Sequence, residues 1–174
     1  TVPFQEDFTP APLSPYAVGK YAGEVYSRMK WHSHNKPVVI IRPFNCYGPY
    51  QSTRAVIPEL ITKCIQNVDL VTTEGLQTRE FNFVSNLVDG FILAGSLPNL
   101  EGQTINVGCG QEISIRDLAL KIHALTDSKS ELNVGKLPTR SGEITRMCAD
   151  STKAKKLMGW EPKVDLEQGL ISTI

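Results

Sequence analysis

Tyr16 and Lys20 stand four residues apart in the segment Ser14-Pro15-Tyr16-Ala17-Val18-Gly19-Lys20. On a helix that spacing puts both side chains on one face, one turn apart. A phenol ordinarily titrates at about 10, too high for a base at neutral pH. A cation within roughly 4–6 Å favours the phenolate. A tyrosine assisted in this way can move a proton while a cofactor moves a hydride. The spacing alone is common by chance, and its plain reading is a surface tyrosine beside a lysine that pairs with Glu24.

The elements around the pair can be read from punctuation and periodicity. The residues before it are rich in proline and polar groups and read as loop. Ser14-Pro15 supplies a cap and a first-turn proline. Val18, Tyr21, Ala22, Val25 and Met29 then recur at helical spacing, and Asn35-Lys36-Pro37 ends the segment. Gly19 and Gly23 weaken helix propensity and suggest close approach of another helix or a ligand. Val38 to Ile41 reads as a strand buried on both faces. It leads into the loop Arg42-Pro43-Phe44-Asn45-Cys46-Tyr47-Gly48-Pro49. A helix is expected from about Ile57 to Asn67, a short strand at Leu70-Val71-Thr72-Thr73, and a single alternating strand over Arg79 to Val84. Ser85 or Asn86 should cap the next helix, ending near Leu97-Pro98. Thr104 to Val107 reads as a strand. Ser114 opens a helix to about Leu125 with Asp117 at the third position of a capping box. Glu131 to Leu137 reads as a strand. Asp150 should cap a helix closed by Gly159, and Asp165 a last helix still running at Ile174. Strand and helix alternate almost throughout, which predicts an α/β fold.

Composition narrows the function. Of 174 residues, 41% are apolar and 21% charged, ordinary for a globular protein. Lys+Arg and Asp+Glu both number 18, so no global charge draws nucleic acid or an anionic membrane. No apolar run approaches the ~20 residues of a membrane helix. Cys46, Cys64, Cys109 and Cys148 form no C-x-x-C pair, which argues against structural zinc and for reduced thiols in a cytoplasmic protein. His32, His34 and His123 match no metal-ligand pattern, so no metal site is expected.

Taken in order along nearly the whole chain, several segments resemble one family. They are Ser14-Pro15-Tyr16-Ala17 with Lys20, Arg42 to Pro49, Arg79 to Val84, Ile105-Asn106-Val107-Gly108, Arg140-Ser141-Gly142-Glu143, and Leu157 to Pro162. The sequence is similar to the extended short-chain dehydrogenase/reductase family, which includes nucleotide-sugar epimerases and 4,6-dehydratases. The resemblance implies NAD- or NADP-dependent epimerisation or dehydration of a nucleoside-diphosphate sugar through a 4-keto intermediate. Tyr16 would be the acid–base catalyst, with Lys20 favouring its phenolate and binding the nicotinamide ribose. Pro43 and Phe44 would lie against the nicotinamide. Asn45, Arg79 and Arg140 would hold the substrate's diphosphate, for which a guanidinium fork is suited. Glu143 would accept hydrogen bonds from a ribose. Each has a plainer alternative: Asn45 as a turn residue, Arg79 as a solvated strand residue, Arg140 and Glu143 as a loop ion pair. The family often carries acidic residues where this chain has Ser85-Asn86, and its members vary at Cys46.

The dinucleotide fingerprint is a glycine-rich turn between a strand and a helix. Gly108-Cys109-Gly110 lacks its third glycine. In the family the fingerprint and the catalytic Ser/Thr both lie upstream of the tyrosine. The sequence therefore reads as the C-terminal portion of such an enzyme, with NAD incompletely bound or absent. Residues 1–54 and parts of 81–108 would belong to the Rossmann domain of the doubly wound fold. Residues 55–80 and 109–174 would form mainly the smaller substrate-binding subdomain. The alternative is a truncated fragment that binds nucleotide-sugar without turnover. The apolar residues of the Tyr16 helix predict a homodimer or other self-association.

Overall fold

The computed structural model describes residues 2–138, 142 and 144–174. Its elements in chain order are α1 (Pro15–His34), β1 (Ile40–Pro43), β2 (Cys46–Tyr47), α2 (Val56–Ile65), β3 (Leu70–Val71), β4 (Thr78–Glu80), β5 (Asn82–Phe83), α3 (Val84–Ser96), β6 (Thr104–Val107), β7 (Glu112–Ser114), α4 (Ile115–Leu125), β8 (Leu132–Asn133), β9 (Arg146–Met147), α5 (Thr152–Met158) and α6 (Leu166–Ile171). β1 pairs with β6, β2 with β5 and β3 with β8, all parallel. β4 lies between antiparallel β7 and parallel β9.

Local chemistry sets several helix ends. Ser14 accepts a hydrogen bond from the Ala17 N–H at 3.1 Å and starts α1. Asn35 ends it in the left-handed conformation. Ser114 caps α4, accepting from the Asp117 N–H at 3.0 Å. Asp165 and Gln168 form a reciprocal capping box on α6. Gly159 closes α5 at φ +64°. Asp150 accepts from the Thr152 N–H at 2.9 Å, one residue before the cap position that Ser151 takes.

Other expectations shift under long-range contacts. The strand expected at Val38 to Ile41 runs Ile40–Pro43, because its register is set by β6: Ile40 faces Thr104 and Pro43 faces Val107. The single strand expected over Arg79 to Val84 is two. The chain leaves the β7-β4-β9 sheet at Phe81 and joins β2, where the Asn82 N–H donates to the Asn45 carbonyl at 2.8 Å. Neither Ser85 nor Asn86 caps α3; Phe83 holds that position. Asn86 is instead drawn inward, where its side chain bonds Asn82 Oδ1 and the Val164 carbonyl. The expected strand Glu131 to Leu137 is only Leu132–Asn133, after which the chain turns at Gly135 (φ +78°). Helix α2 stops at Ile65, and α6 stops at Ile171, where the Thr173 N–H turns back to the Leu170 carbonyl at 2.9 Å.

Two buried clusters result. One gathers Tyr47, Ile57, Leu60, Ile61, Leu118, Ile122 and Leu170. The other gathers Leu87, Ile105, Val107, Ala154, Met158 and Trp160. Helix α1 buries no residue and exposes Val18, Val25, Tyr26 and Met29. It is tied down by Glu24, which binds both Arg28 and Arg42, and by Trp31 against Gly102.

Candidate active site

The capped first turns of α1 carry Tyr16 and Lys20. Lys20 Nζ lies 5.8 Å from the centroid of the Tyr16 ring, so the spacing does bring them together. Tyr16 is 75% exposed, accessible to a ligand.

At the end of β1, Pro43 is exposed and Phe44 half-buried. The Phe44 N–H donates to the Val107 carbonyl at 3.0 Å, and its ring lies 6.5 Å from that of Phe4. Asn45 follows. Its Nδ2 donates to the Glu80 carbonyl at 3.1 Å and contacts Met147 Sδ at 3.7 Å. Met147 is the register partner of Arg79 across β9 and β4. Asn45 and Arg79 are thus brought to one locality through Glu80 and Met147. Arg79 Nη1 donates to the Thr78 carbonyl at 2.7 Å. Tyr16 and Lys20 stand outside this network. Arg140 and Glu143 lie outside the described residues.

Glu80, whose role the sequence did not reveal, is fully buried at 0% exposure. Burial pushes its carboxyl above the usual range, against the opposing pull of the Gly110 and Ala149 N–H groups. Burial likewise raises the Cys109 and Cys148 thiols, each to about 11, so both are neutral structural groups at physiological pH. On the neighbouring strands the hydrogen bond from Arg146 holds the Glu112 carboxyl below its ordinary range. A Cβ at Gly108 would lie 2.3 Å from Glu80 Oε1, so only glycine lets the carboxylate in.

The Gly108-Cys109-Gly110 turn follows a parallel strand, as a phosphate cradle does. Its two glycine N–H donors are already occupied. The Gly108 N–H donates to Ser151 Oγ at 3.0 Å and the Gly110 N–H to Glu80 Oε2 at 2.7 Å. This turn therefore does not fit the pyrophosphate of a dinucleotide. Among the described residues no group of His, Cys, Asp or Glu converges to hold a metal ion, and no helix is long and apolar enough to cross a membrane.

Parallel strand pairs joined through helices define an α/β fold of Rossmann type, and solved structures share it. A UDP-glucuronic acid 4-epimerase from Bacillus cereus, in complex with UDP-glucuronic acid and NAD, superposes with a TM-score of 0.91 at 30% identity, covering 99% of this chain and 55% of that one. The pattern of the GDP-mannose 4,6 dehydratase family matches residues 1–173. A UDP-glucose 4-epimerase of Mycolicibacterium smegmatis is 35% identical over 99% of this chain and 55% of its own length. A dTDP-D-glucose 4,6-dehydratase of Homo sapiens is 34% identical over 98% of this chain and 50% of its own. The chain belongs to the extended short-chain dehydrogenase/reductase family, in its branch of nucleotide-sugar epimerases and dehydratases. It spans about half the length of the curated relatives it matches.

Proposed function

We propose that this chain is the substrate-side part of an NAD(P)-dependent epimerase or dehydratase of nucleoside-diphosphate sugars. The observation that carries the reading is the Tyr16–Lys20 pair on a helix of this family's fold, with Tyr16 exposed and Lys20 Nζ 5.8 Å from its ring centroid. Tyr16 takes the proton from the sugar C4 hydroxyl as that carbon is oxidised to the 4-keto intermediate. Lys20, one turn further along the same helix, reaches the nicotinamide ribose. The bound nicotinamide supplies the hydride acceptor. Pro43 and Phe44 face the nicotinamide end. Asn45, Arg79 and Arg140 hold the diphosphate, and Glu143 accepts from a ribose.

The two buried clusters support a division of labour. Residues 1–54 and parts of 81–108 serve the dinucleotide side, and 55–80 with 109–174 serve mainly the substrate side, although α5 and Trp160 pack with the former and Tyr47 and Phe81 with the latter. Four free cysteines fit a reducing, cytoplasmic setting. The exposed face of α1 supports self-association.

The test is turnover of UDP- and dTDP-sugars with NAD and NADP by the longest natural polypeptide containing this chain. Tyr16→Phe should lower kcat by at least about a hundredfold; unchanged turnover would remove Tyr16 from the role. A second reading, nucleotide-sugar binding without turnover by these residues alone, is favoured by the occupied donors of the Gly108–Gly110 turn. Calorimetry on this chain discriminates: UDP should bind and NAD should bind negligibly, and micromolar NAD affinity would defeat this second reading.

A further inference from the structure

Glu80 joins three separated stretches of chain. Its Oε2 accepts from the Gly110 N–H at 2.7 Å and its Oε1 from the Ala149 N–H at 3.0 Å. Its own carbonyl accepts from Asn45 Nδ2 at 3.1 Å. The fit leaves no slack, since a methyl at Gly108 would collide with the carboxylate and with Ala149 Cβ, at 2.3 and 2.6 Å. Successive side chains on a strand point to opposite faces. Anchoring Glu80 on one face of β4 therefore fixes how its neighbour Arg79 projects on the other. That other face is where Met147, in register with Arg79, meets Asn45.

We infer that Glu80 is a positioning residue for the diphosphate site, its buried carboxylate locking β4 against the turns at 108–110 and 148–149 and so setting both the aim of Arg79 and the seat of Asn45. This rests on the reading of Asn45 and Arg79 as diphosphate ligands. The carboxylate suits the task because it only accepts, and both of its partners are N–H donors. A glutamine of the same shape must turn its NH₂ toward one of them, setting donor against donor in a buried site. One turn then backs away and β4 moves with it. A guanidinium fork on a phosphate tolerates little misdirection, so a sub-ångström shift registers as lost affinity.

The experiment is calorimetry of UDP binding to the chain and its variants, with thermal unfolding run alongside. Arg79→Ala should weaken UDP about tenfold or more, and Glu80→Gln should do the same. Glu80→Asp keeps both acceptor oxygens and should recover to within about threefold of the parent. Trp160→Phe is the control for softness alone: it loses the bond from Trp160 Nε1 to the Asn86 carbonyl at 2.9 Å and should melt earlier with UDP affinity unchanged. Unaltered binding in Arg79→Ala would overturn the diphosphate reading and this inference with it. Loss in Arg79→Ala with none in Glu80→Gln would overturn the inference alone. So would equal losses in Glu80→Gln, Glu80→Asp and Trp160→Phe. The unsubstituted chain gives a check that needs no variant to fold. UDP should shift the Gly110 and Ala149 amide resonances, and their indifference at saturation would overturn the lock.

Discussion

Tyr47 and Gly169 meet with no room for a methyl group: a Cβ at Gly169 would lie 2.1 Å from the Tyr47 hydroxyl. That hydroxyl donates to the Leu166 carbonyl at 3.0 Å, which seats α6 against β2. Burial pushes the phenol far above its ordinary range, so it remains a neutral donor. Gly169→Ala should therefore cost about 1–3 kcal/mol through overpacking. Tyr47→Phe should cost about 1 kcal/mol through the lost bond. Urea unfolding at constant m-value measures both, and a silent Gly169→Ala would show that α6 can shift freely.

Asn86 is a buried hub. Its Nδ2 donates to Asn82 Oδ1 and the Val164 carbonyl, while its Oδ1 accepts from the Lys163 and Val164 N–H groups at 2.9 and 3.0 Å. Asn86→Ala strands several of these groups and should cost about 3 kcal/mol. Hydrogen exchange at the Lys163 and Val164 amides should accelerate well beyond the global change.

Glu24 gives a signed pH dependence. Burial works to raise its carboxyl, but the hydrogen bond and charge of Arg42, joined by Arg28, prevail and hold it below the ordinary 4.5. A carboxylate with a lowered folded-state value contributes stability above its unfolded value and loses it as pH falls through the folded one. Glu24→Gln should thus be less stable than the parent at pH 7, and the difference should fade as pH falls through the lowered folded-state value. Both proteins carry Glu80, whose raised carboxyl acts in the opposite sense, so it cancels in the difference. Thermal melts across this range test the sign; a gap that widens in acid would refute it.

Helix α1 exposes Val18, Val25 and Met29, and α3 exposes Val88, Phe91 and Ile92. Faces of this kind associate in water. Sedimentation velocity should show mass rising with concentration, and Val25→Lys should shift the distribution toward monomer. A clean monomer at high concentration would remove self-association from the account.

The parts legible from sequence are those decided within a few residues. The caps at Ser14, Ser114 and Asp165, the strand Thr104–Val107 and the meeting of Tyr16 with Lys20 all follow from local spacing. What escaped was decided at a distance. Arg79 to Val84 alternates like one strand, yet different partners claim its two ends. Asn86 has the chemistry of a cap, but peptide groups far along the chain make a better claim on it. Alternation marked Glu80 as polar and gave no sign that its face would be covered, because the covering turns come about thirty and seventy residues later.

The bridge between Phe4 and Ala149 has a kinetic corollary. The Phe4 N–H donates to the Cys148 carbonyl at 2.8 Å, and the Asp150 N–H returns to the Phe4 carbonyl at 2.9 Å. Nearly the whole polypeptide lies inside this closure, and such non-local contacts reward the chain only after the loop entropy has been spent. The seam between the beginning of the chain and its last third therefore forms late. It also makes the leading segment a reporter: a protease that clips near Phe4 in the native protein is reading how often that seam opens.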